Sequence, residues 1–207
     1  MIVLSTLLWL VAADPFADIK RYDRDAWSQT VTVCDELAAH GNDPEAVASG
    51  VSQAAMDIDA AIAACTEAVA ADRGNPRLNY QLARAYGYAG RHAEGEPYRD
   101  TALRAGYPQS LFVVGYIRVM DWDGRGKDAC YGGELIRRSA EAGRFAGLVG
   151  FPHYALLGEF DGCDAWPRVD REEMLGFLDM AASGAGDYYQ RILVQQLADR
   201  VRDMGPE

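Results

Sequence analysis

Lysine is nearly missing from this chain. Only Lys20 and Lys127 occur, and every other cation is an arginine. Positive charge is scarce as well: 20 Lys and Arg stand against 31 Asp and Glu, for a formal net charge of −11. Phosphate backbones need clustered cations, so this balance argues against a nucleic-acid partner. It disfavours anionic membrane surfaces for the same reason. The arginine bias fits genome composition as well as recognition. No apolar run reaches the roughly 20 residues of a membrane span. No cysteine lies in a C-x-x-C pair, which removes the zinc-ribbon and thioredoxin-like readings. There is no H-E-x-x-H, nucleophile elbow or P-loop. The three histidines, His40, His92 and His153, fall in separate segments. The stretch DWDGRGKDACYG starts like a calcium loop. It then lacks an oxygen ligand at the fifth position and a Glu at the twelfth. No cofactor, metal or catalytic residue is therefore expected. A hydrolase built on the plentiful carboxylates stays open, because carboxylates need no local motif.

At 207 residues the chain suffices for one domain, or one solenoid, with a sizeable core. Residues 1–13, MIVLSTLLWLVAA, carry no charge and suit the core of a secretory signal. Val11 and Ala13 supply small residues before a cleavage point, with Asp14 as the mature start. No Lys or Arg precedes the run, and the competing reading is a buried first helix. Four cysteines, an even number, agree with export. The protein is expected to be periplasmic or secreted.

Helical periodicity runs through most of the remainder. Residues 14–23 read as an arm. Trp27, Val31, Cys34 and Leu37 predict a helix over about 25–40, which Gly41-Asn42-Asp43-Pro44 ends. The segment to Ala55 reads as loop. A helix over 58–71 presents Ile58, Ile62, Cys65 and Val69 on one face. Residues 76–108 read as two helices around a turn at Gly90, the first carrying Leu78, Leu82, Ala85 and Tyr86 and the second ending at Gly106. Leu111 to Met120 is apolar nearly all round, as for a helix buried on several sides. Helices over about 128–141, 146–158, 172–182 and 187–204 follow. Pro152 lies inside the third from last, and Asp170 is the N-cap of the next. The last helix offers Tyr189, Leu193, Leu197 and Val201. Cys34 and Cys65 come level if their two helices pack antiparallel, and bridging them would staple that hairpin. Two buried thiols are the alternative.

Small-residue endings recur. Ala68–Asp72, Ala102–Gly106, Ser139–Gly143 and Ala181–Gly184 close at successive intervals of 34, 37 and 41 residues. A drifting period of this size suggests tandem helical hairpins, which bury their faces only by stacking. The central unit resembles a tetratricopeptide repeat. Leu82, Ala83 and Tyr86 fit its L-G-x-x-Y signature with Ala for Gly, Gly90 fits the turn, and Ala102 fits the small residue of the second helix. Gly95 replaces an Ala, the usual aromatic is displaced to Tyr98 with Arg99 in its place, and Pro97 lies early in the second helix. The longer units are similar to the Sel-one-like subfamily, in its exported bacterial form. The resemblance covers about residues 57–190. It implies an all-α, right-handed superhelical solenoid of antiparallel hairpins. Repeats would occupy 56–186, after a signal (1–13) and an arm, helix and loop (14–55), with a capping helix and tail at 187–207. Cys130 and Cys163 then fall at neighbouring ends of stacked helices and pair. Stapled envelope proteins of the subfamily point the same way.

One stripe on the first helix of the central unit carries the functional expectation. Arg77, Tyr80, Arg84, Tyr88 and Arg91 recur at steps of three or four, away from the apolar face. By the resemblance, Arg77, Tyr80, Arg84 and Tyr88 match the positions lining the concave groove. Arginine offers a planar donor fork to carboxylates, and tyrosine offers rigid area with a polar tip. The expected activity is protein–protein interaction, with an acidic peptide or chain terminus gripped in this groove. In the competing reading these arginines pair with Glu94, Glu96 and Asp100. Phe112, Tyr116 and Met120 would extend the groove or belong to the core. The alternative function is an envelope hydrolase or a binder of cell-wall sugar peptides.

Overall fold

The computed structural model describes residues 14–205, so the signal-peptide reading of 1–13 lies outside the described residues. Among the described residues there are nine α-helices and no strand. They are α1 (Val33–Ala38), α2 (Ile58–Ala71), α3 (Pro76–Tyr88), α4 (His92–Arg104), α5 (Pro108–Met120), α6 (Ala129–Glu141), α7 (Phe145–Leu156), α8 (Arg171–Gly184) and α9 (Tyr188–Arg202). Each helix packs against the next in the chain, with α3–α4 and α5–α6 as tight hairpins. Two further contacts skip a helix, α1 to α3 and α7 to α9.

The helix starts follow capping chemistry. Asp57, Asn75, Asp128, Asp170 and Asp187 each accept a backbone N–H of the first turn, and Pro76 and Pro108 occupy first-turn positions where a missing N–H costs nothing. Gly106 and Gly143, with φ of 72° and 79°, turn the chain out of α4 and α6 in the left-handed conformation. The fourth of the repeating endings behaves differently: Gly184 is still helical. The α5–α6 hairpin crosses at Gly115 and Gly132. A Cβ on either would lie 2.6 Å from the other's carbonyl oxygen, so the two backbones meet where no side chain fits.

Two disulfides staple the chain as expected, Cys34–Cys65 and Cys130–Cys163. The core falls into two main parts. One joins α1 to α4 around Cys34, Cys65, Leu78, Leu82 and Tyr86. The other joins α6 to α9 around Ile136, Phe151, Met174 and Leu178. Phe16 of the arm is buried beside Leu103, Leu111 and Leu135 and stacks on Tyr131 at 5.1 Å. Burying such a ring contributes about 2–3 kcal/mol, which anchors the arm to the α4–α6 region.

The structure departs from the sequence reading in three places. The helix expected over 25–40 shrinks to α1 plus a 3-10 turn at Arg24–Ala26, with Ser28–Thr32 outside any helix. These residues are poor helix formers, and Thr32 and Asp35 form a capping box that starts the helix late. The buried stripe of α9 is Val194, Leu197, Ala198 and Val201, while Tyr189 is 81 % exposed. Finally, α5 is not enclosed: Phe112, Tyr116 and Ile117 are half-buried and Met120 is exposed.

Candidate functional site

The expected groove stripe lies on α3, and the chain itself covers it. Arg77, Tyr80 and Arg84 are buried, Tyr88 is half-buried, and only Arg91 is exposed. The cover is the segment from Ser28 to Val51. Arg77 Nε pairs with Asp35 Oδ1 at 3.1 Å, and its Nη2 reaches the carbonyls of Ser28 and Thr30 at 3.4 and 3.3 Å. Gln81, not singled out in the sequence, donates to the same Asp35 oxygen at 2.9 Å. The other Asp35 oxygen accepts from the Thr32 N–H and hydroxyl. Arg84 is held almost wholly by backbone. Its Nη1 donates to the Ala38 and Ala39 carbonyls at 2.9 and 3.0 Å, its Nη2 to Val51 at 2.6 Å, and its Nε to the Tyr88 hydroxyl at 3.2 Å. The stripe therefore does grip a chain segment and a carboxylate, and both belong to the protein itself. Arg91 leaves the row at the turn after α3 and forms an ion pair with Glu94, as the competing reading had it.

A second layer of polar groups continues inward. The Tyr107 hydroxyl donates to Asp43 Oδ2 at 2.6 Å. Gln109 Nε2 donates to the Tyr80 hydroxyl at 3.2 Å, and Arg144 Nε donates to Gln109 Oε1. The Arg144 guanidinium sits 4.3 Å over the Phe112 ring. Burial governs the titration of these groups. It raises the Asp43 carboxyl, although the Tyr107 and Glu45 hydrogen bonds oppose it. Burial, with the Asp43 charge, pushes Tyr107 well above the usual phenol value, and burial, opposed by the Gln109 hydrogen bond, takes Tyr80 up to about 12. Burial, helped by the Arg84 and Arg144 charges, lowers His40 to about 4. Sequence periodicity could not pair Asp43 with Tyr107, which stand 64 residues apart.

Beyond this network the α5 and α7 surfaces are open. Phe112 stacks on Tyr116 with centroids 6.0 Å apart, and Tyr116 meets the edge of Trp122 at 4.9 Å and Tyr154 at 6.5 Å. Trp122 is 68 % exposed, and Met120 and Leu157 are exposed beside this row. Burial, with the neighbouring Tyr116 and Glu159, raises Tyr154 to about 12, so its hydroxyl stays a neutral donor at physiological pH. Among the described residues no three His, Cys, Asp or Glu side chains gather as metal ligands. No family model, curated protein or solved structure matches this chain.

Proposed function

We propose that this protein is an exported interaction scaffold of tetratricopeptide or Sel-one-like hairpins, and that it binds a peptide segment of a partner protein along one inner face. The observation that carries this reading is the Ser28–Val51 segment lying across α3. There the stripe holds a carboxylate with Arg77 and Gln81, and main-chain carbonyls with Arg77 and Arg84. Carbonyl contacts of this kind recognise a chain without reading its side chains, and aromatic pockets add selectivity. On this reading the partner docks on the uncovered continuation of the face, the Phe112–Tyr116–Trp122–Tyr154 row, with α3 permanently occupied. The two disulfides, and the absence of a membrane-spanning helix among the described residues, fit an exported protein. A second reading, a binder of cell-wall sugar peptides, is favoured by the exposed Trp122 indole, since aromatic faces also cover sugar rings.

A photoreactive phenylalanine placed at Tyr116, and separately at Arg200 on α9, tests the first reading in the native envelope. A single protein adduct from position 116 and none from 200 is the expected result. Failure to form any protein adduct, together with retention of purified protein on cell-wall fragments, would hand the face to the sugar-peptide reading.

A further inference from the structure

We infer that a cleft of about 730 Å³ between the amino-terminal arm and the α5–α6 hairpin is a binding site for a small oxyanion, of carboxylate or phosphate type. The site is separate from the aromatic row and does not depend on the scaffold reading. Five cations line it, Lys20, Arg21, Arg24, Arg137 and Arg138, against the two carboxylates of Glu45 and Glu141. Glu134 and Glu173 also pair with its arginines, so five cations meet four carboxylates, a local balance that still differs from a chain whose acids outnumber its bases by eleven. Three of the four arginines are fixed in place by the protein's own acids. Arg24 pairs with Glu45 at 3.3 Å. Arg137 is held between Glu134, Glu141 and Glu173 at 2.8–2.9 Å. Arg138 donates to Glu134 at 2.8 Å and lies 4.6 Å over the Phe16 ring. Lys20 and Arg21 make no ion pair among the described residues, and both are exposed. They add repulsion to the cleft.

The arm that carries these two cations is held to the body. The Lys20 N–H donates to the Arg104 carbonyl at 2.8 Å, and Phe16 anchors the arm four residues earlier. A Cβ at Gly106 would lie 2.1 Å from the Lys20 carbonyl oxygen, so a residue without a side chain is needed where the arm crosses the end of α4. The cations of arm and helix therefore face one cleft before any ligand arrives. Preorganised cations around a cavity lose little on binding an anion, and the unpaired two gain a partner. The cavity suits a small organic molecule better than a single atomic ion.

Titration calorimetry at constant ionic strength, with citrate and with pyrophosphate as probes, tests this. At least one probe should bind with one-to-one stoichiometry. Binding to citrate alone assigns a carboxylate ligand, to pyrophosphate alone a phosphate ligand, and to both a general oxyanion site. The double variant Lys20→Glu, Arg21→Glu should weaken binding by about tenfold or more, and Arg138→Gln should weaken it too. The pair Arg191→Glu, Arg200→Glu on exposed positions of α9 changes net charge equally and should leave affinity unchanged. Binding of neither probe overturns the inference. So does equal weakening by the arm and α9 pairs in proteins of unchanged melting temperature, which would show only a bulk charge effect.

Discussion

Arg84 shows how an expected ligand-binding side chain becomes a structural one. Its guanidinium satisfies three main-chain carbonyls that are out of reach of any helix ladder. Removing it in Arg84→Ala leaves the Ala38 and Val51 carbonyls without that donor, while the Ala39 carbonyl keeps the Val51 N–H, at roughly 1–3 kcal/mol for each unpaired group that water cannot reach. A loss of about 3 kcal/mol or more in urea unfolding is expected. Arg84→Lys should rescue little of it, because an ammonium cannot span three acceptors with a planar fork. Arg91→Ala, on an exposed pair with Glu94, should leave the unfolding midpoint unchanged. His40 supplies a pH test. Its folded pKa, about 4, lies below the ordinary 6.5, so the folded state binds its proton less tightly than the unfolded chain does. The resulting stability is present above pH 6.5 and is lost as pH falls towards 4, by about 1–2 kcal/mol once solvent screening of the partly exposed ring is allowed for. Asp43, raised by burial, acts in the opposite direction. The measurement is therefore the difference between the unchanged protein and His40→Gln, which should show a shallower decline across that window.

At the scale of the helices, the α5–α6 crossing is a tightly constrained contact. Gly132→Ala would place a methyl group 2.6 Å from the Gly115 carbonyl oxygen and 2.9 Å from a Val119 methyl. Backbone cannot yield as a flexible side chain does, so a loss of about 1–3 kcal/mol in urea unfolding is expected. Gly176→Ala on α8, where the new methyl meets nothing within 4 Å, should be neutral or stabilising. These helices were legible in the sequence because period and punctuation agreed. The helix over 58–71 matches α2 residue for residue, and Asp170 caps α8 as its position implied. The region of α1 was misread because Trp27, Val31, Cys34 and Leu37 imitate a helical face. Only Cys34 and Leu37 lie on α1; Val31 is exposed and Trp27 is half-buried in a non-helical stretch, whose course is set by the long-range contact of Ser28 and Thr30 with Arg77 that no local period encodes. For the same reason the arginine stripe was found but its occupant was not. The spacing places Arg77 and Arg84 on one face, and only the tertiary fold brings Asp35 and the Val51 carbonyl onto it.

Across the whole molecule, the question is whether the covered face of α3 ever opens. The two disulfides close loops of similar length, with sequence separations of 31 and 33, so chain entropy assigns each about 3.5 kcal/mol. Their exposure differs. Cys34 and Cys65 are fully buried, whereas Cys130 and Cys163 are half-buried. Thiol–disulfide exchange requires a thiolate to reach a sulfur atom, so access sets the order of reduction when loop length does not. Under native conditions with dithiothreitol, Cys130–Cys163 should open first. Cys34–Cys65 should persist until global unfolding. Alkylation followed by peptide mapping reads the order directly. Modification confined to Cys130 and Cys163 at early times would mean that the Ser28–Val51 segment stays closed over α3, as the proposed docking on the aromatic row assumes. Early modification of Cys34 and Cys65 would mean that the segment lifts away while the rest stays folded. Arg77, Arg84 and Gln81 would then become available to an outside carboxylate, and α3 would rejoin the proposed docking surface.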